Sequence, residues 1–284
     1  MFVVIGALIV LGGVLGGFTI AGGSVLLLMH VSEFIIIGSC MIGTLLISAP
    51  TKLLFKVITK TMAILSGKTV TKKVYLELLK LLHELFVVIR KDGLMSLESH
   101  IESPEDSDIF NKYPLVAKDH HLLLFIADSL RLISLNEVPS HDLEMLMDMD
   151  IELHHHEGTK PGMLLQKMGD SLPGIGIVAC VLGIMITMQA ISGPPEQIGE
   201  KVAAALVGTF LGIFMSYGFI TPLSVKMEMI NDDESRLYSV IKSGITSVAK
   251  GFSPLVSAEF ARRNISNDFR PSFLEMENFL KGKA

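Results

Sequence analysis

Charged residues are missing from four long stretches of this chain, at 1–32, 34–51, 171–195 and 202–225. Roughly 20 apolar residues of helix cross a hydrocarbon core of ~30 Å, so each stretch is long enough to span, the second only just. The sequence therefore reads as an integral membrane protein with its spans in two pairs. Within the spans the titratable groups are Cys40, Cys180, Tyr217 and, at the edge of the first, His30. A protein that moves ions alone usually keeps an ionisable side chain at depth. Thiols and phenols, with ordinary pKa values of about 8.5 and 10, relay protons poorly. If protons or sodium cross here, another chain should supply the carboxylate. The lack of inverted-repeat symmetry also argues against a self-contained transporter.

Other absences exclude other classes. Two cysteines, both within predicted spans, offer no disulfide framework. No Walker A sequence, G-x-S-x-G or glycine-rich strand-to-helix turn is present, so nothing supports an enzyme, and nothing points to nucleic-acid binding. His154, His155, His156 and Glu157 invite a metal reading. Consecutive histidines on a helix point in different directions, so no metal site and no cofactor are expected. The apolar start lacks a basic n-region and exceeds a signal h-region, which reads as a retained helix.

Charge returns asymmetrically. Lys52, Lys56, Lys60, Lys68, Lys72 and Lys73 follow the second span, Lys160 and Lys167 precede the third, and Lys226, Arg236 and Lys242 follow the fourth. The turns on the other side hold Glu33, Glu196, Glu200 and Lys201. By the positive-inside rule the central block, the tail and both termini are cytoplasmic. The expected organisation is all-α: transmembrane helices at 1–51, a helical cytoplasmic domain at 52–170, transmembrane helices at 171–225 and a helical cytoplasmic tail at 226–284.

Small residues mark the span interiors. Gly12, Gly13, Gly16 and Gly17 form overlapping G-x-x-x-G patterns, a device for close helix approach in lipid. Ala204, Gly208, Gly212 and Ser216 recur every four residues, and Gly176, Cys180, Gly183 and Thr187 at three and four, giving one narrow face each. The two faces either pack together or line a slot for a partner helix. Pro173 is expected at the entrance of the third span, near N1. Pro222, near the exit of the fourth, removes a backbone hydrogen bond and bends the helix. Both read as helix-end prolines or as hinges.

In the central block, Leu78, Leu82, Leu85 and Ile89 set a helical period over 74–90 that Gly93 caps. Further helices are expected from near Ser96, over 118–135, and from an N-cap at Ser140 to about His156. Acids gather after Arg90 (Glu98, Glu102, Glu105, Asp106, Asp108), and Glu144, Asp148 and Glu152 follow i, i+4 spacing. Such runs are either solvated faces or docking surfaces for a protein partner. A helix over 226–250, ended by Gly251, should lead into short helices beyond.

With these residues assembled, the chain resembles the MotA/PomA family of flagellar stator subunits. The likeness rests on S-L-P-G-I-G-I-V-A-C-V-L-G at 171–183, A-L-V-G-T-F-L-G-I-F-M-S-Y-G-F-I-T-P-L at 205–223, the two-plus-two spacing and S-P-L-V-S-A-E-F-A-R-R at 253–263. The resemblance implies a homopentamer around a dimer of MotB/PomB-type partners, whose single membrane helix bears an aspartate. Ion passage would turn this ring against the rotor protein FliG. On the same footing Arg90 and Glu98 match the rotor-contacting charges, Pro173 and Pro222 the conformational prolines, and Thr209 the threonine facing the partner's aspartate. Sodium-type members carry threonine where this chain has Cys180. A thiol is a poor ligand for a hard cation, so protons are the expected ion. A related ExbB/TolQ-type energiser is the alternative, although those proteins usually have three spans.

Overall fold

A computed structural model describes residues 2–67, 69–135, 138–189 and 191–282. Among them every regular element is helical: α1 (Phe2–Ile20), α2 (Val31–Ser48), α3 (Thr51–Leu65), α4 (Lys72–Asp92), α5 (Glu98–Glu102), α6 (Asp108–Asn111), α7 (Pro114–Ala117), α8 (His120–Ser134), α9 (Ser140–Gln189), α10 (Pro195–Met215), α11 (Thr221–Ala249), α12 (Pro254–Arg263) and α13 (Phe273–Leu280). Short 3-10 turns intervene, and a π turn (Ser216–Ile220) joins α10 to α11. Among the described residues four helices are long and apolar enough to cross a membrane.

The chain divides into two compact units. One comprises residues 1–68 and 158–229, and the other 69–157 and 230–284. The first holds all four spans together with α3 and the segment before the third span. It is thus wider than the charge-free stretches. Its small core is Ile37, Leu172, Ala179, Val207 and Leu211. Most large apolar side chains of α1 and α2 are exposed, as lipid-facing residues are.

The second unit has a conventional aqueous core. The leucine row of α4 (Leu78, Leu79, Leu81, Leu82, Leu85) is fully buried with Phe86 against Leu97, Phe110, Leu122, Ile126, Ile241 and Ala261. Gly93 ends α4 with φ of 82°, a conformation only glycine adopts without strain. Asp119 caps α8 through its carboxylate, and Ser272 with Glu275 forms a capping box on α13.

Three expectations are corrected. The helix expected to end near His156 instead continues as α9 to Gln189, through Gly158, Pro161 and Gly162. Pro173 accordingly lies well inside α9 and not at a first turn. The reason is tertiary: Gly162 sits against the α11 backbone, and Ser224 Oγ donates to its carbonyl at 3.0 Å. Third, α2 begins at Val31, so Glu33 belongs to its first turn and not to a turn outside the span.

Candidate functional site

The four-residue spacing of small residues on α9 and α10 brings the two backbones together. A Cβ on Gly176 would lie 2.7 Å from the Gly208 carbonyl and 3.1 Å from Gly212 Cα. One on Gly212 would lie 2.6 Å from the Leu172 carbonyl, and one on Gly183 would lie 2.7 Å from Ala205 Cβ. Any larger residue at these places forces the helices apart, which is how small residues build membrane helix pairs. Gly176 and Gly183, expected to face a partner, are therefore taken up by α10, as Gly208 and Gly212 are by α9. Thr187 is buried and its Oγ1 donates to the Gly183 carbonyl at 2.9 Å, so its hydroxyl is turned onto its own helix.

Cys180 and Thr209 are half-buried on this pair. They are the members of the expected channel set whose side chains are neither lost to a glycine contact nor bonded back to the helix. Gly12 and Gly16 meet nothing within 4 Å. Their expected close packing is thus not made within this chain among the described residues.

Sequence reasoning missed Glu33. Glu33 is only 4% exposed, and its Oε2, which has no hydrogen-bond partner, lies 2.7 Å from where a Cβ on Gly208 would stand. Glu33 and Ile37, one turn apart, are the two buried residues of α2. The signal available in the sequence was its isolation, as the one ionisable residue between two apolar runs.

In the second unit Arg90, in the last turn of α4, and Glu98, first residue of α5, are both exposed. Among the described residues neither takes part in an ion pair. The acidic row on α9 is different. Glu144 pairs at 2.8 Å with Lys250, just past the end of α11, and Asp148 at 2.6 Å with Lys242 on α11. The Lys250 ammonium beside it holds the Glu144 carboxyl below the usual range. That row is a seam between helices more than a docking face. The histidine run is likewise used internally: His154 Nε2 meets Tyr238 Oη at 3.0 Å and His155 Nδ1 meets Ser235 Oγ at 3.0 Å. No group of three or more potential metal ligands occurs among the described residues.

The fold is similar to that of C. jejuni MotAB, with a TM-score of 0.76 at 19% identity over 94% of this chain and 96% of that one. It is also similar to the flagellar MotAB stator complex from Bacillus subtilis, with a TM-score of 0.72 at 23% identity, covering 90% and 92%. Residues 4–93 match the family described as Motility protein A N-terminal, and residues 118–239 match the MotA/TolQ/ExbB proton channel family. The sequence is 36% identical to motility protein A of Escherichia coli strain K12 over 99% of this chain and 95% of that protein. It is 38% identical to chemotaxis protein LafT of Vibrio parahaemolyticus over 97% of both. With these matches spanning almost its whole length, the chain belongs to the motility protein A family.

Proposed function

We propose that this chain is the A subunit of a flagellar stator, which couples ion flow to torque. What supports this most is the near-full-length likeness to motility protein A, joined to the closely packed α9 and α10. The match of residues 4–93 to the motility protein A N-terminus weighs against the ExbB/TolQ-type alternative. The partner is a MotB/PomB-type subunit carrying the membrane aspartate. Five copies of this chain surround its dimer in the bacterial inner membrane, with both termini cytoplasmic.

Protons are the ion on this reading. Cys180 stands beside α10 where an oxygen ligand would favour sodium, and Thr209 presents its hydroxyl to the partner's aspartate. Neutralising that aspartate removes the cost of a charge at depth and frees the ring to step. Pro173 and Pro222 bound the α9/α10 pair and would carry the resulting change of shape to Arg90 and Glu98. These exposed charges would act on FliG by setting register and on-rate.

The test is the swimming speed of a stator-deleted strain expressing this chain with its cognate partner, in sodium-free buffer with and without a protonophore. Swimming without sodium that collapses with protonophore is the expected result. A sodium requirement would overturn the ion assignment, and no swimming with both subunits and flagella present would overturn the stator assignment.

A further inference from the structure

We propose that Glu33 is an ion-handling carboxylate of this chain's own, taking up protons from the outer side and passing them toward the Thr209 face of α10. The inference rests on the stator reading above and adds a group to it. Glu33 is buried at 4% exposure, and one carboxylate oxygen has no donor. Ser32 hydrogen-bonds to the group, but an ionised carboxylate with its other oxygen buried and unsatisfied still carries a desolvation cost. A purely structural role would be filled at lower cost by an apolar residue packing like Ile37, one turn on. The residue opposite is Gly208, and a Cβ there would come within 2.7 Å of Oε2. The absent side chain leaves the carboxylate its place.

Depth supports the reading. Glu33 is the third residue of α2, and Gly208 lies seven residues after Lys201, the last charge before the fourth span, and 18 before Lys226, the first charge after it. At about 1.5 Å per residue the Glu33 carboxylate stands ~10 Å from the outer charged end of the span and ~27 Å from the inner one, in its outer part. Thr209, the next residue, is about 100° round the helix at the same level. The carboxylate and the threonine hydroxyl thus flank one turn of α10. Access comes from the segment before α2, which the charge distribution places on the outer side. The neighbouring titratable groups are His30, just before α2, and Cys180 on α9, whose backbone nitrogen is 3.2 Å from the Gly208 Cβ position. Between Val202 and Val225, α10 and the turn after it offer only Tyr217, which is exposed. In each cycle the Glu33 carboxylate binds a proton from outer water, releases it to the partner's aspartate and returns to its ionised form.

The test expresses wild type, Glu33→Gln and Glu33→Asp with the cognate partner in a stator-deleted strain. Bead rotation is recorded from acid to alkaline external pH, and a fluorescent tag counts stators at the motor. Rotation by wild type is the control for the stator reading, and its failure would sink that reading first. With wild type rotating, Glu33→Gln should assemble normally yet slow rotation on the order of 10-fold or more, as loss of a positioned proton carrier does. Glu33→Asp should rotate with its speed-against-pH curve displaced. Wild-type speed and pH profile in Glu33→Gln would overturn the proposal. Should Glu33→Gln not reach the motor, Glu33→Asp decides: a displaced curve supports titration at this position, and a curve superimposed on wild type overturns it.

Discussion

Ser216 donates its hydroxyl hydrogen to the carbonyl oxygen of Gly169, 2.6 Å away on the neighbouring helix. Gly169 precedes Pro173 by four residues, so its carbonyl is the one whose helical donor the proline ring removes. The hydroxyl of Ser216, fully buried at the start of the π turn, stands in for that missing N–H. A proline inside a membrane helix is tolerated when a neighbouring serine re-satisfies the freed carbonyl. Ser216→Ala should destabilise the assembled subunit by about 0.6–1.7 kcal/mol, the range of hydrogen bonds between membrane helices. Pro173→Ala restores the N–H, so the two changes together should cost less than their sum. Thermal unfolding of the detergent-solubilised complex, run as a double-mutant cycle, reads this coupling, and strict additivity would refute it.

The glycine seam makes a sharper steric prediction. A methyl at Gly212 would meet the Leu172 carbonyl at 2.6 Å and Gly176 Cα at 2.9 Å, both backbone atoms with no rotamer to yield. Gly212→Ala should therefore cost about 1–3 kcal/mol, as overpacking does. Gly174→Ala, on α9 in open space, is the matched control and should leave stability unchanged. Equal stability of the two variants would mean that α9 and α10 are not held this closely.

The same residues show what was legible in the sequence. The spans and α4 were readable because burial there follows a local rule, the absence of charge or the 3.6-residue leucine period. Gly93 announced its own turn, since a positive φ needs glycine. The continuity of α9 was not readable. Gly158, Pro161 and Gly162 locally advise a stop, and the contact that overrides them, Ser224 with Gly162, is 62 residues distant. Of the two readings open for the small-residue stripes, mutual packing of α9 and α10 is the one found. Glu33 was hidden for a related reason. A carboxylate beside an apolar run looks like a turn residue until Gly208, far along the chain, is seen to leave a space for it.

Arg90 and Glu98 stand on either side of Gly93, exposed and joined to no ion pair among the described residues. Reversing either charge removes no packing from the core beneath. Arg90→Glu and Glu98→Lys should each leave membrane level and stator assembly unchanged while lowering swimming speed severalfold, through register with the rotor. Swarm diameter beside immunoblots of the membrane fraction measures both. The single changes are the informative ones, because the double reversal tests only whether sign is interchangeable. Wild-type speed in both single variants would remove these residues from the rotor contact.

Acid stability of the second unit should be set in part by Glu259. Arg262 donates to it from Nε at 2.6 Å and Nη2 at 2.8 Å, while Arg262 Nη1 reaches the Pro271 carbonyl at 2.8 Å, tying α12 to the chain before α13. Arg263 adds a bond at 2.8 Å. The Arg262 guanidinium is the first cause holding this carboxyl below its ordinary value of 4.5. A group depressed on folding stabilises the fold above its unfolded pKa and loses that contribution as pH falls through its folded one. The carboxylate and guanidinium are 19% and 13% exposed, so solvent screens them little. At neutral pH Glu259→Gln should cost about 1.5–3 kcal/mol, as a charged hydrogen bond does. Well below pH 4.5 the gap between wild type and variant should close, because the wild-type carboxyl is then protonated too. Hydrogen exchange of the α12 amides at neutral and acid pH checks this, and a gap that persists in acid would show that Glu259 acts through its shape and not its charge.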